Sequence, residues 1–299
     1  MQRTYSQLQR RENAAGWAFV TPALVCFLAL TAFPFFLSLF LSFTKWNFLS
    51  GWDHIKMIGM KNFNDLLKDK RFATALQNTF VYAVTTVPIS IIISLLLAYA
   101  LNGNVKGRNI LRLGFFIPYI CSAVALGAVF KSLFREDGII NIVLVNLHIL
   151  SVPFKWMVEP SLCKIPIIAL IIYTSIGYEM IIYMAALQNV PVSLYEAATI
   201  DGAGSAQKLW YVTIPLISPT TFYLVIVRLI AVFKVFSSVN IMTMGSAAIN
   251  NTSMVNEIYE QGFVKYKFGY ASAEAMVLFV IILVITLINF ASQKKWVHY

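Results

Sequence analysis

The chain has 299 residues, 59% of them hydrophobic, 14% aromatic and only 12% charged. Soluble domains carry about 25% charged residues, so an ordinary water-soluble globular fold is excluded by composition alone. The net charge is +10, but too little water-exposed chain remains for a nucleic-acid-binding module, and the cations read as lipid-facing groups at helix ends.

The apolar residues gather in runs of about 20, long enough to cross a hydrocarbon core of about 30 Å as a helix. The first run, 16–43, follows Arg3, Arg10 and Arg11. It stays apolar too long for the core of a cleaved leader and reads as a retained signal-anchor helix. The polar cluster KWNFLSGWDHIK comes next, then runs at 76–101 and 110–134 separated by LNGNVKGRN. Runs at 164–186, 218–241 and 273–291 complete six expected spans, the last preceded by NNTSMVNEIYEQ. The expectation is an all-α, polytopic membrane protein with six transmembrane helices, a single domain over 1–299 with its core at about 72–291.

Several chemistries find no support in the residues. Cys26, Cys121 and Cys163 show no CxxC spacing and are expected to be small buried hydrophobes. His54, His148 and His298 are isolated, so no metal site is expected. No GxxxxGK[ST] phosphate loop occurs, no nucleophile–base arrangement can be argued and no carboxylate pair is placed for acid–base work, so no catalytic residue is assigned. Any ATP hydrolysis must come from another chain.

Orientation follows the Lys/Arg balance of short loops. With both termini inside, Arg3, Arg10, Arg11, Lys106, Arg108, Arg112, Lys208, Lys294 and Lys295 lie inside. Segment 44–75, then outside, carries Lys45, Lys56, Lys61, Lys68, Lys70 and Arg71. Raw count therefore does not decide, and the densely basic 102–112 loop tips the balance only slightly towards this arrangement.

Between the fourth and fifth spans lies QNVPVSLYEAATIDGAGSAQKLWYVTIPLISP, within a loop taken as 188–217. Pro191 and Ser193 can start a short helix containing Glu196, Ala197 and Ala198. Asp201 and Gly202 end it, because glycine tolerates a left-handed turn. A second helical stretch runs through Trp210, and Pro215 and Pro219 mark the entry to span five. Small residues, Ala203 and Gly204 among them, let the hairpin approach another surface closely.

This segment resembles the EAA loop of permease subunits in binding-protein-dependent ABC importers. The pattern there is EAA, three residues, Gly, nine residues, then I-x-L-P. Here Glu196-Ala197-Ala198 is followed by Gly202 at that spacing, and by Val212-Thr213-Ile214-Pro215 after nine more residues. The stretches LQNTFVYAVTTVPISI, GRNILRLGFFIPYICSAVALG, GYEMIIYMAALQNVP, FKVF and KFGYASAEAMVLF look like the carbohydrate-uptake branch, with its maltose-type, multiple-sugar and glycerol-3-phosphate permeases. The chain departs at Thr243–Thr252, where TMGSAAINNT replaces the frequent TxGGP, and at Glu179, where many relatives carry a neutral residue.

The resemblance implies a type I ABC importer permease fold in the bacterial cytoplasmic membrane, multi-pass, with both termini cytoplasmic. It implies that Glu196, Ala197, Ala198, Asp201, Gly202 and Ala203 couple to an ATPase. The implied partners are a second permease making a heterodimer, two copies of a cytoplasmic ATPase subunit, an extracytoplasmic solute-binding protein, a sugar substrate and membrane lipid. The chain itself would bind no cofactor; ATP and Mg would sit on the ATPase.

Ionisable groups within spans are costly and face a cavity or a partner. Span four runs outside to inside and span five returns, so Glu179 and Arg228 fall at similar depth and are expected to pair. Tyr178, Glu179, Tyr183, Lys234, Phe236 and Asn240 offer the mixture of hydrogen-bonding and aromatic groups that a sugar path needs. Packing, interhelical hydrogen bonding and snorkelling are the alternative reading of the same residues. At the level of function, the alternatives are an ion-coupled secondary transporter, which would show repeated halves, an integral membrane enzyme, and an ABC permease for a non-sugar solute.

Overall fold

The computed structural model describes residues 2–103, 106–160, 162–243 and 250–294, with side chains from residue 12 onward. Most of TMGSAAINNT, at 244–249, lies outside the described residues, as do Lys295, His298 and the side chains of Arg3, Arg10 and Arg11. The chain is helical almost throughout. In order come α1 (Gln2–Phe27), α2 (Phe33–Ser42), strands β1 (Thr44–Lys45) and β2 (Lys56–Met57), α3 (Lys61–Leu66), α4 (Lys70–Asn102), α5 (Arg108–Ile120), α6 (Ala123–Leu133) and α7 (Ile139–Asn146). Then follow α8 (Ile165–Gln188), α9 (Val192–Ile200), α10 (Ser205–Lys208), α11 (Ile214–Leu216), α12 (Ser218–Phe233), α13 (Ser237–Met242), α14 (Met254–Tyr259) and α15 (Phe268–Gln293).

Among the described residues, four helical stretches are long and apolar enough to cross a membrane: Glu12–Ser42, Lys70–Asn102, Ile165–Gln188 and Phe268–Gln293. Two bent pairs raise the total to six if each counts as one span. In the third expected span, α5 and α6 meet at an angle of 100°. The chain leaves the helix at Cys121 (ψ 150°) and re-enters after Ser122, so 110–134 is a broken element rather than one rod. The other bent pair, Ser205–Leu216 with Ser218–Phe233, meets at 70° around Ile217, where the fifth expected span begins, and that span is also interrupted near its far end. Its helix ends at Phe233, Phe236 takes φ −125° and ψ −61°, and α13 follows. The Ser253 hydroxyl donates to the Val235 carbonyl at 2.8 Å, occupying an acceptor that the break releases.

Two compact units emerge, Met1–Leu66 with Gln261–Met276 and Leu67–Glu260 with Val277–Tyr299. In the first, β1 and β2 form an antiparallel hairpin pairing Thr44 with Met57 and Lys45 with Lys56. Asn62 Nδ2 donates to the carbonyls of Ser42 and Thr44, at 2.8 and 2.9 Å. Gly269 lies so close to Thr44 that a Cβ would collide with the Thr44 carbonyl oxygen.

In the second unit the buried face of α4 sets the small and polar residues Ala75, Asn78, Thr79, Ala83, Thr86, Ser90, Ser94 and Ala98 among Phe72, Tyr82, Val87, Ile91 and Leu101, while Val84, Ile89, Ile92 and Leu96 are exposed. A soluble amphipathic helix would not bury so many hydroxyls while exposing aliphatic side chains. Lipid tails are as apolar as leucine, so helices join through small and hydrogen-bonding residues and turn aliphatic ones outward. The helix starts on Asp69, whose Oδ1 accepts from the Arg71 and Phe72 amides, at 2.8 and 3.4 Å. Helix α8 packs against α4 and α5. At Gly177 a Cβ would meet the Phe115 carbonyl oxygen and, at 2.7 Å, the Phe116 Cα, so the α5–α8 crossing requires glycine.

The three cysteines divide. Cys163 is buried, whereas Cys26 and Cys121 are exposed on this chain, which corrects the expectation of uniform burial: an apolar run in a membrane protein has its outer face on lipid rather than core.

Candidate functional site: the 188–217 hairpin and the intramembrane polar cluster

Helix α9 starts on Pro191 and presents Glu196 and Ala197 to solvent, with Ala198 half-buried. Its end is a Schellman motif. The Ala203 amide donates to the Ala198 carbonyl at 2.8 Å, and the Gly202 amide to Thr199 at 3.0 Å. Gly202 has φ +78°, the left-handed conformation this closure demands. Asp201 is exposed and Ala203 half-buried. After the turn, Gln207 Oε1 accepts from the Gly204 amide at 2.8 Å and opens α10. The two arms are tied by Lys208 Nζ donating to Thr199 Oγ1 at 2.8 Å, and by the Tyr195 and Thr213 hydroxyls at 2.9 Å. The hairpin is therefore a folded object rather than a loose loop. Its outer surface is unusually apolar: Ile200, Val192, Trp210 and Tyr211 are 87%, 68%, 66% and 80% exposed. A cationic or polar loop would suit water; this one suits another protein surface.

The second feature lies inside the membrane helices. Glu179 on α8 has no exposed surface. It accepts from the hydroxyls of Ser90 at 3.1 Å and Ser94 at 2.9 Å, both on α4. Arg228 on α12 sets its Nε 2.7 Å from Glu179 Oε1. The contact is Coulombic rather than a well-aligned hydrogen bond, because Arg228 Nε and Nη2 have no partner of acceptable geometry. One carboxylate thus joins three helices. Ser90 and Ser94 escaped the sequence reading, although two small residues four apart on one helix face are the usual mark of an intramembrane helix contact.

The remaining path candidates do not form one cluster. Tyr183 is wholly buried and donates to Thr221 Oγ1 at 3.1 Å. Tyr178 is half-buried; its ring stacks on Tyr119 at 5.0 Å and its hydroxyl lies 3.5 Å from that of Tyr223. Lys234, at the end of α12, is exposed, and Phe236 and Asn240 are half-buried around the helix break. Phe236 packs on Tyr259 at 5.2 Å.

A further polar seam was not legible either. Asn78 Nδ2 and the Tyr82 hydroxyl donate to the carbonyls of Thr252 and Asn251, at 3.0 and 2.9 Å, and the Met254 amide donates to Thr79 Oγ1 at 2.9 Å. Arg71 Nε is 2.6 Å from the buried carboxylate of Glu257. These bonds fasten segment 251–257 along α4.

Residues 67–298 match the family described as "Binding-protein-dependent transport system inner membrane component". The chain belongs to that family. This permease is 33% identical over 294 residues to the probable ABC transporter permease protein YesP of Bacillus subtilis (strain 168), covering 97% of this chain and 94% of the relative. It is 33% identical over 294 residues to the lactose transport system permease protein LacF of Rhizobium radiobacter, covering 97% of both. The arabinooligosaccharides transport system permease protein AraP of Bacillus subtilis (strain 168) is 32% identical over 282 residues, 93% of this chain and 88% of the relative. The permease fold also matches a chain of a bacterial alginate ABC transporter solved with an alginate pentasaccharide-bound periplasmic protein, with TM-score 0.84, 22% identity and 98% of each chain covered. The type I importer permease fold therefore holds over nearly the whole chain.

Proposed function

We propose that this permease is one membrane-spanning subunit of an ATP-driven importer that carries a sugar or oligosaccharide inward by alternating access. The observation that carries the proposal is the coupling hairpin: a rigid, glycine-closed turn that displays aliphatic and aromatic side chains where a membrane protein would otherwise keep a loop soluble. Glu196, Ala197, Ala198, Asp201, Gly202 and Ala203 form the part that seats against an ATPase subunit, two copies of which bind ATP and Mg and perform the hydrolysis. A second, different permease completes the pathway, and an extracytoplasmic solute-binding protein delivers the substrate. The termini and the hairpin at 188–217 lie on the cytoplasmic side of a bacterial plasma membrane, and the transport core is about 72–291. Tyr178, Lys234, Phe236 and Asn240, with exposed or half-exposed surface, are the residues offered to substrate. Glu179 and Tyr183 hold the helices behind them. The relatives that act on lactose and arabinooligosaccharides support the choice of a sugar.

The test is ATP hydrolysis by the assembled complex in nanodiscs, with and without loaded solute-binding protein, for wild type and Gly202→Arg. Stimulation in the wild type and its loss in the variant support the reading. A chain that recruits no ATPase, or is indifferent to the substitution, overturns it.

A further inference from the structure

Where α5 begins and α8 ends, the second unit carries an open groove of about 430 Å³, within the range of about 300–1,000 Å³ of ligand sites. The two helices run antiparallel. Gly177 faces the backbone of Phe115 and Phe116, and Gln188, the last residue of α8, shares the groove with Asn109 and Arg112 from the first turns of α5. One end is therefore polar. The walls that continue towards the Gly177 crossing are apolar, Leu113 and Phe116 on one side and Ile181 on the other.

Arg112 carries the chemistry. It is half-buried, yet its Nε is covered and has no hydrogen-bond partner, and its Nη2 donates to the Leu101 carbonyl at a long 3.4 Å. Among the described residues no carboxylate pairs with it. Withdrawing a guanidinium from water without a counter-charge is costly. Lys106 and Arg108 are exposed a few residues earlier, and 102–112 contains no acid. Such a cation set fits an external anion, and the guanidinium fork matches two oxygens of one phosphate. From that phosphate position an apolar trench leads away, on a helix whose Ile110, Leu113 and Ile117 are exposed. A charged head at one end and a hydrocarbon channel behind it is the outline of a phospholipid.

We infer that this groove binds an anionic phospholipid, its phosphate held by Arg112 with Arg108 and Asn109 beside it, and one acyl chain lying between α5 and α8. A net-negative headgroup such as phosphatidylglycerol is favoured over a zwitterionic one, because no carboxylate lines the groove to answer a choline or ethanolamine cation. Basic pockets between spans on the cytoplasmic side suit such lipids. The orientation proposed above puts the polar end on that side, although the site itself does not depend on it.

The experiment uses the full chain in the assembly with which it purifies from the membrane, delipidated in detergent and titrated with POPG or POPC. Bound lipid is counted by native mass spectrometry, which needs neither ATP nor substrate, so the importer reading is not at stake in the result. POPG should half-saturate the wild type at a concentration about fivefold or more below POPC. Arg112→Gln should raise the POPG value about fivefold and Arg108→Gln/Arg112→Gln about 25-fold, the expected worth of one and two cations at a lipid surface. Arg112→Lys should stay within about twofold of wild type, and Lys68→Gln, an exposed cation outside the groove, should change nothing. Ile181→Trp fills the trench and should raise the value about tenfold, the cost of displacing two acyl methylenes. Inorganic phosphate at about 10 mM should leave POPG bound, since it lacks the buried chain. Elution of each variant with the wild-type assembly on size exclusion separates loss of lipid from misfolding; if Arg112→Gln does not assemble, Ile181→Trp carries the test. Equal binding of POPG and POPC overturns the inference, as does an Arg112→Gln or Ile181→Trp variant indistinguishable from wild type. Displacement by phosphate would reduce the groove to an ion site. A photo-crosslinking residue at Leu113 should capture lipid; capture of a co-purifying subunit instead would give the groove to that subunit and overturn the inference too.

Discussion

The Glu179–Arg228 contact yields the sharpest quantitative test. Breaking a buried pair by removing one partner costs about 3–5 kcal/mol, because the other charge is left uncompensated. Two observations place this case at the lower end, about 3 kcal/mol. Arg228 keeps 14% of its side chain exposed, and its Nε contact lacks hydrogen-bond alignment. Glu179 retains the two serine hydroxyls whichever residue faces it. Glu179→Gln and Arg228→Met should therefore each destabilise the complex by about 3 kcal/mol, while the double variant should lie within about 1 kcal/mol of wild type. The coupling energy of this cycle is then about 5 kcal/mol, against about 3 kcal/mol if the double variant were no better than a single one. Unfolding in mixed micelles of rising SDS content, followed by size exclusion of the fluorescently tagged complex, measures all four corners. If the double variant is no more stable than the worse single one, the two side chains do not share their charge and the reasoning fails.

Three other outcomes follow from the geometry. Gly177→Ala drives a Cβ into the α5 backbone and should cost about 1–3 kcal/mol in the same assay, whereas Gly114→Ala, with nothing within 4 Å of its Cβ, should cost nothing measurable. At Gly202 the φ of +78° makes alanine cost about 1–2 kcal/mol locally, but nothing lies within 4 Å of the added Cβ. Gly202→Ala should thus keep ATPase stimulation where Gly202→Arg loses it; equal loss in both would mean that strain, not partner contact, governs the turn. Asn141 Nδ2 donates to Arg135, Glu136 and Phe154, and its Oδ1 accepts from the Phe154 amide and Trp156 Nε1. Asn141→Leu should leave the 147–156 segment open to limited proteolysis, at a cost of about 3 kcal/mol; unchanged digestion would show the segment is held by other contacts.

The helical class and most of the spans were legible because bilayer thickness imposes a run length that composition cannot hide. The turn after α9 was legible because Gly202 must supply a left-handed residue at a fixed point. The breaks were harder. Between Pro219 and Phe236 the fifth span has neither proline nor glycine, and its interruption is stabilised from outside by Ser253, which no local pattern encodes. The third span did carry a signal, Pro118 followed by Ser122, a donor-less residue and a helix-starting one in sequence. Its weight depended on α8 approaching at Gly177. The pairing of Glu179 with Arg228 could be inferred from depth, but Ser90 and Ser94 needed the rotation of α4 about its own axis. The seam from Asn78 to Thr252 joins residues 174 apart in the chain, beyond the reach of any periodicity.

Glu179 also constrains how this molecule can change shape. Its contacts with α4 and α12, at 2.7 to 3.1 Å, tolerate little sliding, since displacement by one residue along a helix is about 1.5 Å. Shearing α8 past either neighbour would strand a carboxylate in hydrocarbon, so α4, α8 and α12 are riveted at that depth and travel together. The compliance that a pump needs must then reside where the rods are already cut, at Cys121–Ser122, at Ile217 and at Lys234–Phe236. Spin labels on α4 and α8 should keep their separation through the nucleotide cycle, while labels spanning one of the cuts should not.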